Sequence, residues 1–535
     1  MTVPAARPPR AADGGRRDCD ARGRAALRAL GLDDGAALAG DVIDVVSPLT
    51  GSPIGRVPRL GPDDVVRAAR RARAAQEQWA RTPVRERSRV LLALHDLVLR
   101  LRGPLLDLVQ WESGKARAHA FEELADTAMT ARYYARTGAR HLAAERRRGA
   151  VPGLTGVAVH HRPVGVVGMI SPWNYPLTLA ASDAVAALMA GNAVVLKPDS
   201  ATPFTALAVR SLLVRAGADP GLLQVVTGAG TALGAPLIDA VDALMFTGSA
   251  ATGSAVASRA GARLTPVSAE LGGKNPLIVR ADAPLARTVR GTVRACFSNA
   301  GQLCVSIERV YVHRDVWDRF VPALVRATGA LRVGATMGWE TDMGPLISAE
   351  HRARVAAHVD DAVARGATVL TGGRALEEVG PTAYAPTLLA GVTGDMEVHS
   401  AETFGPVAAL YRVSGDEEAV WAANASPYGL NASVWTADPR AGAALAGRIR
   451  AGTVNVNEGY AAAWGSTAAP MGGMGASGLG RRHGPEGILK YTQSQTIAVQ
   501  RLMPLQAPPG VGGERWAAAL TAWLRLARRL PGLDR

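Results

Sequence analysis

Residues 164–197, VGVVGMISPWNYPLTLAASDAVAALMAGNAVVLK, decide the fold. The run 164–170 is apolar and rich in β-branched residues, as a buried strand is. Residues 177–189 then repeat apolar positions at helical spacing, and 193–196 form a second apolar run. Strand, helix and strand in this order make a βαβ unit, whose two strands lie parallel in one sheet. The alternation continues through a helix at 203–216 and strands at 222–226 and 243–246. A second alternating block follows, including 309–312, 351–365, 369–370 and 407–411. The sequence therefore predicts two α/β domains.

Outward from this block the pattern changes. Residues 62–148 read as helical, in segments 65–79, 85–101 and 118–145. Residues 1–38 have little hydrophobic periodicity and are expected to form a mobile arm. At the other end, Trp516, Leu520, Trp523, Leu524 and Ala527 share one face of a helix that also carries Arg525 and Arg529. Such a helix packs on its own protein or a neighbouring subunit, or lies on a membrane surface.

The chain has 535 residues, 48% hydrophobic and 20% charged, the balance of a soluble globular protein. Its net charge is +14, yet only four of the sixty basic residues are lysines: Lys115, Lys197, Lys274 and Lys490. The arginines are dispersed and no aromatic-interleaved basic stripe occurs, so no nucleic-acid partner is expected. Cys19, Cys296 and Cys304 are too few for a disulfide framework and suit a reducing cytoplasm. No metal-ligand spacing, secretory signal or membrane-spanning run is evident.

Three residues stand out chemically. Cys304 closes the block FSNAGQLC (297–304), Glu270 opens ELGGKNP (270–276), and Asn174 lies in SPWNYP (171–176) just after the 164–170 strand. Alone, each has a plain reading as a buried thiol, a surface carboxylate or a loop amide. Together with FTGS (246–249) and ETFGP (402–406) they follow one another in the order that identifies the chain as a member of the aldehyde dehydrogenase superfamily. The 34 residues from Glu270 to Cys304 also match that family. The resemblance covers about residues 40 to 500, and a glycine-rich block at 470–481 extends it.

The resemblance implies roles. Cys304 would attack the aldehyde carbon as a thiolate. Asn174 and the Cys304 backbone N–H would hold the oxyanion, and Glu270 would activate the hydrolytic water. The cofactor contacts implied are Trp173, Asn174, Lys197, Ser200, Gly248, Ser249, Leu271 and Glu402. Phosphate would approach the helix after 246–249, and Glu402 would hold the nicotinamide ribose. NAD-preferring relatives place Glu three residues after the lysine equivalent to Lys197. Ser200 stands there and leaves room for a 2′-phosphate, so NADP is expected, with NAD as the alternative.

The wording most resembles actinobacterial NADP-type succinate-semialdehyde dehydrogenases. Yet the two arginines that bind the substrate carboxylate in such enzymes correspond to Ser182 and Ser298 here. The competing expectation is a broad-specificity or fatty-aldehyde enzyme, with Trp464 as pocket wall or core residue. The family fold further implies a Rossmann-like cofactor domain (39–147 and 163–274), a catalytic domain (275–480) and oligomerisation strands (148–162 and 488–502). Residues 503–535 form the amphipathic tail. A homodimer or homotetramer in the cytoplasm is expected.

Overall fold

A run of apolar residues without alternation has two faces to bury. The computed structural model, which describes residues 13–149, 155–500 and 506–529, covers both. Val166–Ser171, Ala193–Pro198, Leu223–Val225, Ala243–Thr247 and Val267–Glu270 form a parallel sheet. Helices Pro176–Ala190, Pro203–Arg215, Gly230–Ala240 and Ala250–Ala262 connect successive strands. The chain enters this sheet at its centre, runs to the Leu223–Val225 edge, then crosses back to Ala243–Thr247 on the other side of Val166–Ser171. That reversal opens a crevice at the carboxyl ends of the two central strands, the usual ligand position in such sheets.

The second domain is a seven-stranded sheet ordered Thr368–Thr371, Thr387–Ala390, Val407–Val413, Ile307–His313, Asn275–Val279, Asn431–Trp435 and Thr453–Val456. Only Thr368–Thr371 runs antiparallel to its neighbour. The two domains are not separate in sequence. Gly478–Leu479, inside the range expected to be catalytic, pairs antiparallel with Val267–Glu270 and so extends the cofactor sheet, setting Gly478 opposite Glu270.

A third, antiparallel sheet joins Glu145–Arg148, Thr155–Pro163 and Thr492–Gln500. Within the ranges expected to hold oligomerisation strands, 148–162 and 488–502, Thr155–Pro163 and Thr492–Gln500 pair with each other in one chain. Residues 118–145, expected to be one helix, divide into the helix Arg117–His141 and the start of this sheet.

The mobile arm expected at 1–38 needs correction for residues 13–38. Asp13–Ala29 is a helix, and Cys19, Ala26, Leu27 and Leu30 are buried. Gly23 explains the fit: a β-carbon there would lie 2.1 Å from the Trp111 ring, whose Nε1 donates to Asp20 at 2.9 Å. Small residues form the contact face, so the five arginines of this helix mask its amphipathicity. Residues 1–12 lie outside the described residues.

At the other end, Gly513–Ala527 is helical with no buried residue. The remainder of the expected amphipathic segment reaches residue 530, outside the described residues. Among the described residues no helix is long and apolar enough to cross a membrane.

Candidate active site

The turn that carries Cys304 is held in an unusual backbone conformation. After the helix Leu285–Phe297, three consecutive residues are left-handed: Asn299 (φ 51°), Ala300 (φ 55°) and Gly301 (φ 71°). Glycine is required at 301, because a β-carbon there would lie 2.0 Å from the Gly405 carbonyl oxygen. Side-chain amides pin the turn. Asn299 Nδ2 donates to the carbonyls of Gln302 (3.0 Å) and Asn174 (3.1 Å). Asn275 Nδ2 donates to those of Cys304 and Ser306, both at 2.7 Å.

Asn174 is tied to the same turn. Its Nδ2 donates to the Gln302 carbonyl at 3.1 Å, and a carboxamide nitrogen carries a second hydrogen. That hydrogen can serve an oxygen bonded to the carbon that Cys304 attacks. Lys115 Nζ donates to the Asn174 carbonyl at 2.5 Å and also pairs with Glu123. Glu123 in turn accepts from the backbone N–H groups of Leu177 and Thr178, at the start of Pro176–Ala190.

Glu270 ends its strand 5% exposed, and its Oε1 has no hydrogen-bond partner. Burial pushes its carboxyl up to about 7, although Arg482, Lys490 and Arg481 pull it down. A base that titrates near neutrality suits proton abstraction from water. Burial likewise pushes the Cys304 thiol up to about 12; Arg482 opposes this, while Glu270 and Glu402 add to it.

All ten residues expected to form the site line one cavity of about 580 Å³: Trp173, Asn174, Lys197, Ser200, Gly248, Ser249, Glu270, Leu271, Cys304 and Glu402. Lys197 closes its strand 5% exposed and, among the described residues, forms no salt bridge. A buried ammonium that has no salt bridge, with only Asp199 acting on it from a distance, fits an anionic ligand such as a nucleotide phosphate. Ser200 Oγ donates to the Gly228 carbonyl at 3.2 Å. Asp199, which could have opposed a phosphate, turns one oxygen to the Ala201 N–H at 2.9 Å.

Ser249 caps the helix Ala250–Ala262, accepting from Thr252 N at 3.3 Å. The Gly248 N–H is engaged by the Glu270 carbonyl at 3.1 Å and the Leu271 N–H by that of Ser477 at 3.0 Å, so neither amide is free for a ligand. Gly253 makes room for Leu271: a β-carbon at 253 would approach its side chain to 2.3 Å. Glu402 accepts from Gly273 N at 2.8 Å, and burial raises its carboxyl to about 8, with Glu308 adding to the shift.

Beyond Cys304 the surroundings turn apolar and aromatic. Tyr175, Leu179, Leu303, Val305, Leu430, Tyr460 and Met471 cluster there, with Cys304 and Trp464 packed against them. Trp464 packs against this cluster, its ring centre 5.0 Å from that of Tyr175 and its Nε1 donating to Asp126 at 3.1 Å. Ser182 Oγ donates to Asp126 at 2.8 Å, and Ser298 Oγ to the Arg294 carbonyl at 2.8 Å. Neither position offers a cation to a substrate carboxylate.

The motif reading gives no role to several members of the site, although Phe404 and Lys274 lie within its blocks. His351 and Phe404 meet Trp173 edge-on, at 5.5 and 5.6 Å between ring centres. His351 donates to the Phe404 carbonyl at 2.7 Å, and burial lowers it to about 4, so its ring is neutral. Lys274 and Glu308 form a buried pair, and Glu308 accepts from the N–H groups of Thr403 and Phe404, fixing the loop of Glu402. Asp183, Arg482 and Lys490 form an ion cluster. One signal was available: the four lysines of this arginine-rich chain include three that brace the site and one that lines its cavity. Among the described residues no group of three or more His, Cys, Asp or Glu could hold a metal.

Residues 36–497 match the aldehyde dehydrogenase family. A Mycolicibacterium smegmatis protein, provisionally named succinate-semialdehyde dehydrogenase (NADP+), is 50% identical over 483 residues, which are 90% of this chain and 93% of that protein. The succinate-semialdehyde dehydrogenase (NADP+) of Escherichia coli is 35% identical over 86% of this chain and 95% of its own. A crystal structure described as an E. coli NADP-dependent enzyme superposes with a TM-score of 0.83 at 34% identity, covering 87% of this chain and 97% of the other.

Proposed function

The chain belongs to the aldehyde dehydrogenase family, and from that premise we propose that it oxidises succinate semialdehyde to succinate with NADP. The observation that carries this reading is the single cavity that gathers Cys304, Glu270 and Asn174 with Lys197 and Ser200. The names of the M. smegmatis and E. coli relatives support the substrate and the cofactor.

Cys304, as the thiolate, forms a bond to the aldehyde carbon, and the developing oxyanion accepts from Asn174 Nδ2 and the Cys304 N–H. Bound NADP supplies the hydride acceptor that converts this adduct to a thioester on Cys304. Glu270 then takes a proton from water, which attacks the thioester carbonyl and releases the acid and the thiol. Lys197 would hold the adenosine phosphate, Glu402 the nicotinamide ribose, and Ser249 a phosphate at its helix start. Trp173, Gly248 and Leu271 shape the cavity between them.

A second reading has its own observation. Ser182 and Ser298 are committed to internal hydrogen bonds, and the wall beyond Cys304 is apolar and aromatic. This favours an uncharged, medium-chain aldehyde. The deciding experiment measures kcat/KM for succinate semialdehyde, butanal, hexanal and octanal with each dinucleotide. Succinate semialdehyde with NADP should lead; a wide margin for the alkanals would overturn the first reading in favour of the second.

We place the enzyme in the cytoplasm as a homodimer or homotetramer. The strand Thr492–Gln500 supports assembly: among the described residues it is the edge strand of its sheet, with Ile497 and Val499 exposed. The exposed helix Gly513–Ala527 presents Leu520, Trp523 and Leu524 beside Arg525. It supports contact with an anionic membrane surface. Deleting residues 505–535 should abolish sedimentation with anionic vesicles, and unchanged sedimentation would refute that contact.

A further inference from the structure

Beside the strand of Glu270 lies a cluster of charge that the chemistry above leaves unused. Asp183 sits at its centre, 4% exposed. Its Oδ2 accepts from Arg482 Nη2 at 2.8 Å. Its Oδ1 accepts from Lys490 Nζ and from the Tyr491 hydroxyl, both at 3.1 Å. These residues come from the long buried helix Pro176–Ala190 and from the chain 299 to 308 residues later.

The cluster is registered against Glu270 by the sheet. Arg482 Nη2 also donates to Thr247 Oγ1 at 3.2 Å, and Thr247 is the direct partner of Glu270 on the neighbouring parallel strand. Lys490 Nζ reaches Ser268 Oγ at 3.4 Å, two residues before Glu270 and on the same face of its strand. The Arg482 backbone exchanges hydrogen bonds with Met471, which packs in the apolar wall around Cys304. Arg482 Nε and Glu270 Oε1, one donor and one acceptor, are both buried with no hydrogen-bond partner among the described residues. The guanidinium is thus anchored on Asp183 and on Thr247, the residue paired with Glu270 across the sheet, and Asp183 sets its orientation.

We propose that Arg482 is a positioning residue for the reaction, a fixed positive charge that favours the ionised forms of Glu270 and Cys304, with Asp183 setting its strength. The inference rests on the roles given above to those two residues. The charged groups acting on Glu270 are Arg482, Lys490 and Arg481, which stabilise the carboxylate, and Asp183, which opposes it. Those acting on Cys304 are Arg482 on one side and Glu270 and Glu402 on the other. Burial alone would raise Asp183, but Arg482 and Lys490 outweigh it and hold its carboxyl at about 2. Asp183 is therefore a permanent anion at working pH.

The signs give the test. Glu270 works as the carboxylate, so hydrolysis of the acyl-enzyme should accelerate as pH rises through its pKa. Arg482→Met removes a cation and should move that rise to higher pH by about one unit, which is about tenfold slower hydrolysis on the acid side. Asp183→Asn removes an anion and should move it to lower pH. Arg482→Lys keeps the charge and should restore the wild-type midpoint even if kcat falls. The experiment preloads the full-length enzyme by one turnover with NADP and succinate semialdehyde or butanal, then follows acyl-enzyme hydrolysis from pH 5 to 9. In parallel, iodoacetamide modification of Cys304 at pH 9, without cofactor, should be about tenfold slower in Arg482→Met. Opposite shifts in Arg482→Met and Asp183→Asn support the proposal. Shifts in the same direction, or an unmoved midpoint in Arg482→Met, overturn it. Glu270→Gln separates the two layers: if its hydrolysis still follows the wild-type pH profile, the role of Glu270 fails and not that of Arg482.

Discussion

Replacing Ser200 with glutamate should turn the enzyme from NADP towards NAD. Ser200 lies on the cavity wall three residues after Lys197, with its hydroxyl on the Gly228 carbonyl. Lys197 is buried and, among the described residues, forms no salt bridge; Asp199 acts on it from a distance and is partly occupied by the Ala201 N–H. The wild-type pocket is therefore positive where a 2′-phosphate would sit. A glutamate carboxylate about 6 Å from a phosphate with nearly two charges repels it by roughly 3 kcal/mol at an effective dielectric of about 40. It also pairs with Lys197 and so removes that attraction. The loss in kcat/KM for NADP should be about 100-fold. For NAD the carboxylate gains the two ribose hydroxyls as donors, worth about 1.5 kcal/mol net, or roughly tenfold. The combined swing is close to 1,000-fold. The assay is kcat/KM for each dinucleotide at saturating aldehyde and low salt, where screening is weakest. A Ser200→Glu enzyme that still discriminates for NADP as the wild type does would refute the placement of the 2′-phosphate.

Three further outcomes follow from separate parts of the structure. Gly301→Ala meets both a positive φ and the Gly405 carbonyl; it should cost about 3 kcal/mol and lower kcat about 100-fold by displacing Cys304, read by thermal melting and steady-state kinetics. Glu402 titrates at about 8 without cofactor. If ribose hydroxyls donate to its carboxylate, NADP binding releases a proton, so affinity should tighten as pH rises from 6.5 to 9, a trend that calorimetry should find abolished in Glu402→Gln. Removing residues 1–38 strips Cys19, Leu27 and Leu30 from the core; this should cost about 5 kcal/mol, whereas a mobile arm would leave the melting temperature unchanged.

The sequence disclosed the two α/β domains because their strands are continuous apolar runs, the pattern forced on strands buried on both faces. It also disclosed Cys304, Glu270 and Asn174, because each sits in a short block whose neighbours are constrained by backbone geometry, as Gly301 is by Gly405. The helix Asp13–Ala29 was hidden because five arginines crowd it and the residue that meets Trp111 is a glycine, which adds nothing to an apolar stripe. Arg102–Ser113 was hidden for a related reason: most of its second half is buried all round, and a helix without a polar face has no period. Arg482 and Asp183 could not be paired from sequence, since 299 residues separate them and only the closing of the chain's end onto the cofactor sheet joins them. Gly248 and Leu271 line the cavity, but their amides serve the sheet and the Ser477 loop, which no motif discloses.

The central claim is a covalent one, that carbon–sulfur chemistry at position 304 is released by the carboxylate at 270. Rapid mixing of Glu270→Gln with NADP and aldehyde, followed by mass spectrometry of the quenched protein, tests it directly. The account predicts one NADPH per chain in a burst, then a stall, with the acyl mass on the peptide containing Cys304. Continued turnover without that mass, or the mass on Cys19 or Cys296 instead, would contradict it.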